Sequence, residues 1–185
     1  MKNSINQFRP FLLFLGKFFL SYLLLTVAYQ AYLNQFDSKK MEVDDVTVAV
    51  AHQTVAVLSL FDSQTYTEPN PNEPSMKLIY KNKYISRIIE GCNALSVIIL
   101  FIAFVIAFSG KLKRTIVFIV IGSVLIYVLN ISRIVILSMA MFRFPEYQDF
   151  LHGVVFPLLI YSVVFILWIV WVNKYSFYAS ETITK

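Results

Sequence analysis

The sequence predicts an all-α membrane protein: a four-helix transmembrane bundle whose extracytoplasmic loop holds an interfacial helix and a short β-hairpin. Three observations lead there. Of the 185 residues, 58% are hydrophobic and only 15% charged, against roughly 45–50% and 25% in ordinary soluble domains. Four apolar runs approach or exceed the roughly 20 residues that a helix needs to cross the hydrocarbon core. A single long polar stretch, 34–91, separates the first run from the second. The whole of 1–185 reads as one integral membrane domain.

The first span covers 11–33 and is interrupted only by Lys17. Basic Lys2 and Arg9 precede it, as in a signal peptide, but the apolar run is too long for an ordinary signal core. An uncleaved helix is the expectation. Lys17 lies about two turns in, close enough to the entry face to snorkel. The second span covers 93–109. The third covers 115–138 and stays uncharged as far as Arg133, and the fourth covers 153–172. Within the polar stretch, the Ala- and Val-rich run 44–61 reads as a helix lying against the membrane face or the bundle, though its Val content would also suit a strand. Asp45, His52 and Ser59 recur along it at seven-residue spacing. The Pro/Asn stretch 68–74 reads as a loop. The run 77–89 reads as a hairpin around a Lys-Asn turn.

The basic residues orient the bundle. With the N-terminus cytoplasmic, the inner segments 1–10, 110–114 and 173–185 carry seven Lys and Arg in 28 positions. The outer segments also carry seven, spread over 66 positions. Density favours cytoplasmic termini in a cell inner membrane, and Gly-Lys-Leu-Lys-Arg at 110–114 is the clearest inner loop. Ten of the eleven acids then lie outside, so the net charge of +5 reflects a basic inner face. That distribution points to lipid and not to nucleic acid. One cysteine excludes a disulfide framework and a multi-cysteine metal site, and no metal or organic cofactor is expected.

Ionisable and reactive groups near membrane depth are the natural functional candidates, because burying them is costly. Cys92 immediately precedes the second span and His152 the fourth. Arg133 lies 18 residues beyond Thr115, about 27 Å along a helix at 1.5 Å per residue. With spans alternating in direction, Cys92, Arg133 and His152 fall at one depth, at the outer ends of three adjacent helices. A thiol attacks as its thiolate, which helix N-termini and nearby cations favour. A histidine can take the thiol proton and return it to a leaving amine. An arginine can hold an oxyanion or a carboxylate. Glu90 opposes thiolate formation unless it points away. Asp149, three residues before His152, can orient the imidazole if a helical turn begins there.

Each residue also has a plain structural explanation. Cys92 can be a small packing residue, Arg133 can snorkel to head groups, and His152 can be an ordinary interfacial histidine. His52 is expected to be structural. Asn130, Tyr127 and Ser123 form a polar stripe that helix–helix hydrogen bonding accounts for. Lys81, Lys83 and Arg87 read as a solvated hairpin face.

At these positions the sequence resembles the exosortase/archaeosortase family of membrane cysteine transpeptidases. The segments that carry the resemblance are Glu-Gly-Cys-Asn-Ala-Leu around Cys92, Asn-Ile-Ser-Arg ending at Arg133, and Phe-Leu-His-Gly around His152. It covers about 77–172, and the small size with a long outer loop looks most like the exosortase F subfamily. The family commonly shows Cys-Ser-Gly-Leu-Arg where this chain has Cys92, Asn93, Ala94, Leu95 and Ser96. The resemblance implies processing of secreted proteins that end in a sorting signal: a short motif, a transmembrane helix and a basic tail. It implies Cys92 as nucleophile, His152 as general base and acid, and Arg133 as oxyanion or substrate stabiliser, with Asn130 and Asp149 in support. The partners implied are those secreted proteins, the lipid bilayer and a small membrane protein, with the site on the periplasmic side. The competing reading is a non-enzymatic membrane assembly or export component that binds a partner through its outer loop. A transporter ranks lower, because the spans lack paired ionisable groups at mid-depth.

Overall fold

A computed structural model describes residues 2–37 and 40–176. Helix α1 (Lys2–Leu33) carries no acid in its first turn and no base in its last, and its Phe and Leu residues point outward on most sides. A helix that is apolar all round belongs in lipid or in a core, and the apolar length Phe11–Leu33 has almost nothing packed around it. Its main partner is α3 (Leu95–Ala107), which runs antiparallel to it. Phe14 meets Phe104 and Phe108 at 5.9 and 4.3 Å between ring centroids. Lys17 Nζ donates to Ser109 Oγ at 2.8 Å. Twelve residues further along α1, the Tyr29 hydroxyl accepts from Asn93 Nδ2 at 3.1 Å.

Helix α4 (Leu112–Arg143) climbs back beside α3, and α6 (Phe156–Lys174) descends again. Gly122 allows α3 and α4 to approach closely, since a Cβ there would lie 2.3 Å from the buried Phe101 ring. Trp171, fully buried, donates to the Phe108 carbonyl at 2.9 Å and ties α6 to the turn that holds the basic loop. Gly110 bridges Ser176 at the same end.

Three helical stretches are long and apolar enough to cross a membrane: Phe11–Leu33, Leu112–Arg143 and Pro145–Lys174. Helix α3 is shorter than the span expected over 93–109. Its 13 residues rise about 20 Å. The chain is mostly helical, not all-α, because the outer loop folds into a sheet of three antiparallel strands in the order β1 (Thr65–Pro69), β2 (Met76–Tyr80), β3 (Lys83–Ile88). The hairpin expected over 77–89 is β2–β3. It turns on Lys81 and Asn82, both with positive φ (55° and 57°), the signature of the turn that matches strand twist. Strand β1 was not anticipated.

The helix expected over 44–61 is α2 (Asp45–Leu58), capped by the Asp44 carboxylate, which accepts from the Thr47 amide at 2.9 Å. Thr47, Val50, Ala51, Thr54 and Leu58 form its buried face. Val50, Ala51 and Leu58 join Leu78, Tyr80 and Ile88 of the sheet and Ile131, Ile134 and Val135 of α4 in one core. Asp45, His52 and Ser59 form the exposed opposite seam. The C-terminal half of α4 is thus buried by protein and most of its N-terminal half is exposed.

Candidate active site

The site forms where the sheet, α3, α4 and the segment before α6 converge. Strand β3 ends at Ile88, and a 3-10 turn (Glu90–Cys92) follows. The Cys92 amide donates to the Ile89 carbonyl at 2.8 Å. The Cys92 carbonyl accepts from Asn130 Nδ2 at 2.7 Å, and Asn130 is buried. The polar stripe on α4 therefore fixes the backbone that carries the thiol. Cys92 does not sit at the first turn of α3, as expected, because Asn93 and Ala94 intervene. Asn93 is buried, and its Oδ1 accepts from the Leu95 amide at 3.0 Å. Its Nδ2 also reaches Thr47 Oγ1 at 3.3 Å, so one side chain links α1, α2 and α3.

Glu90 points away from the thiol's cavity. It accepts a short hydrogen bond (2.5 Å) from the Tyr29 hydroxyl of α1.

A cavity of about 510 Å³ lies on the other side of the turn, and Cys92, Arg133 and His152 all line it. They come from three separate elements. Arg133 projects from α4, and its buried Nε finds no hydrogen-bond partner among the described residues. A buried donor left unpaired costs about 1–3 kcal/mol, and Arg133 Nε shares that state with Tyr32, Thr54, Ser123 and Trp168. His152 was expected just ahead of the fourth helix. It lies instead within a continuous helical run: α5 (Gln148–Phe150) passes into a π-helical turn (Leu151–Val155) and then into α6. Such turns are frequent at functional sites, because the extra residue re-aims the side chains around it.

Asp149 is exposed and is not on the cavity wall, and no ion pair joins it to His152 among the described residues. Gln148, which sequence reading passed over, lines the cavity instead. The signal was present: Gln148 precedes His152 by four residues, the spacing that puts two helical side chains on one face. Strand β3 supplies the remaining polar wall, including Ser86 and Arg87. Arg87 is ion-paired with Glu73. That contact holds the Glu73 carboxyl below the ordinary carboxylate range and raises the guanidinium above its usual value.

All three cavity residues lie at one end of the bundle, and Lys17, the 110–114 loop and Trp171 lie at the other. The fold and the cavity define a class: a helical membrane protein that presents a thiol, a guanidinium and an imidazole together at one end of its helices. The chain is a transmembrane exosortase by family, since the model of that family matches residues 10–171. Members of this family are cysteine transpeptidases that act on secreted proteins bearing sorting signals. No curated protein and no solved structure matches the chain.

Proposed function

We propose that the protein processes C-terminal sorting signals on secreted proteins with Cys92 as nucleophile. The observation that carries the reading is the shared cavity of Cys92, Arg133 and His152, built from three elements distant in sequence. The Cys92 Sγ–H proton passes to the His152 imidazole as sulfur attacks the scissile carbonyl carbon. Arg133 holds the oxygen that becomes negative, which is the role its unpartnered Nε suits. The C–N bond then breaks, the imidazolium proton goes to the leaving amine, and a thioester remains on Cys92. An amine or a water, deprotonated by His152, attacks that thioester and restores the thiol. Asn130 keeps the Cys92 backbone in place.

The active end faces the periplasm, the termini face the cytoplasm, and α3 completes a four-helix bundle in the inner membrane. The dense basic loop at the opposite end of the helices supports this orientation. The compact size and long outer loop support the F subfamily.

Cys92→Ala tests the reading. It should leave the protein inserted and let a tagged secreted protein with a sorting tail accumulate unprocessed, a loss on the order of 10³-fold or more. Normal processing in that variant would sink it. Full activity in Arg133→Ala and His152→Ala, with loss only on deletions within 44–90, would favour the non-enzymatic assembly role.

A further inference from the structure

The cavity has a second property that the three reactive residues do not explain. Residues 84–89 line it without a gap. Successive side chains of a strand point to opposite faces of its sheet, so six consecutive residues can border one space only along the strand's edge. Strand β3 is an edge, with β2 on one side and nothing paired on the other. Among the described residues no backbone group of 84–88 bonds outside the β2 ladder. A free edge is a template for pairing with another extended chain, and proteins normally cover or distort such edges. Here the edge is distorted only at its far end, where the register shift opposite Leu78 and Ile79 leaves Ile85 as the extra residue of a bulge. The part left regular, 86–88, runs directly into the turn that holds Cys92.

We infer that the sorting motif binds as an added strand, its backbone paired with the free edge of β3 over 86–88 and its scissile carbonyl carried onto Cys92. This deepens the function proposed above and rests on it. The occupant follows from the chemistry of the site: an extended peptide supplies the backbone donors and acceptors that the edge lacks, and its carbonyl oxygen supplies the acceptor that Arg133 Nε lacks. Its direction follows as well. Beyond β3 the chain turns into α3, and beyond the motif a sorting signal turns into its own transmembrane helix. Both chains run toward the membrane, so the motif pairs parallel to β3. Gln148 and Ser86 then face its side chains, while backbone pairing leaves affinity tolerant of sequence.

The sequence offers a clean test, because Cys92 is its one cysteine. In full-length protein carrying Cys92→Ala and Ser86→Cys, the tagged tail protein is scanned with single cysteines through and beside its motif, and disulfides are trapped in membranes with a mild oxidant. Strand pairing gives cross-links at alternate positions, with yield at background between them. In parallel, tails made with single N-methylated amides are offered to the unmodified protein. Methylation at alternate positions should lower kcat/KM about fivefold to tenfold, the worth of one strand hydrogen bond. Cross-links or losses without a two-residue period, while the tail still accumulates on Cys92→Ala, overturn the added strand and leave the catalytic reading intact. Processing that persists in Cys92→Ala overturns both.

Discussion

Ala94 adopts the left-handed region, with φ 66°, between the nucleophile's turn and the first residue of α3. A residue with a Cβ costs roughly 1–2 kcal/mol there. The family's usual glycine stands at this place, one residue after its serine and two after its cysteine. This chain bears the strain and buries the Ala94 methyl in the core shared with Phe101 and Trp171. Losing that methyl costs about 0.8 kcal/mol, so relief of strain wins by a small margin. Ala94→Gly is therefore expected to stabilise the protein by up to about 1 kcal/mol, read as a higher unfolding temperature in detergent, and an unchanged or lower Tm would show that the methyl matters more. Asn130 runs the other way. Removing its side chain orphans the Cys92 carbonyl at a cost of about 1–3 kcal/mol. Asn130→Ala should lower both Tm and the rate of processing, and Asn130→Asp, which keeps the size but not the donor, should not rescue either. Sequence alone showed that Asn130 lies on a polar stripe. It could not show that the stripe's partner is a backbone carbonyl, because which helix faces which is a tertiary fact.

Among the elements, those with strong local signals were legible. The Lys-Asn pair announced the β2–β3 turn, and the Ala- and Val-rich run reads as the helix that α2 is, although its valines alone would also suit a strand. Strand β1 was hidden because its five residues end at Pro69, inside a stretch whose proline and asparagine content reads as loop. The start of α3 was hidden for a different reason: an apolar run does not reveal where the backbone first turns helical, and Ala94 delays that point. The close approach of α3 and α4 at Gly122 yields a prediction. Alanine favours a helix over glycine by about 0.5–1 kcal/mol, but its methyl would overlap the buried Phe101 ring, and overpacking costs about 1–3 kcal/mol. The clash should prevail, so Gly122→Ala lowers Tm, and Gly122→Ala combined with Phe101→Leu recovers part of the loss. The sheet carries a pH dependence. Arg87 holds the Glu73 carboxyl below its ordinary value, so the pair stabilises the fold above the ordinary carboxylate pKa and is lost as pH falls through the depressed one. The protection of β2 and β3 amides against hydrogen exchange, relative to their intrinsic rates, should fall below about pH 4.3, the unperturbed Glu value, and that fall should vanish in Glu73→Gln.

At the scale of the whole molecule, the alternation of helix directions was the inference from which the rest of the reading followed. It required only that Cys92, Arg133 and His152 lie at the outer ends of consecutive spans. The fold brings them to one cavity even though α3 is short, α4 is long and His152 lies inside a helical run. The compensation is physical. Helix α4, at 32 residues, rises about 48 Å, more than a hydrocarbon core of about 30 Å requires. Its C-terminal turns are buried by α2 and the sheet. Helix α3 is completed at each end by non-helical turns pinned to neighbours, through Asn93 above and the Trp171 bond to the Phe108 carbonyl below. The cavity and the basic loop thus lie at opposite ends of the helices, so the single thiol reports directly on topology. A membrane-impermeant maleimide added outside intact cells should modify Cys92, which is partly exposed, and modification should block processing. Prior incubation with a tail protein that cannot release its acyl group should protect it. In a Cys92→Ala background, a cysteine placed at Lys113, at the opposite end of the bundle, should react only after the inner membrane is permeabilised. Labelling of Lys113→Cys from outside would invert the bundle and move the cavity to the cytoplasm, where no secreted tail could reach it.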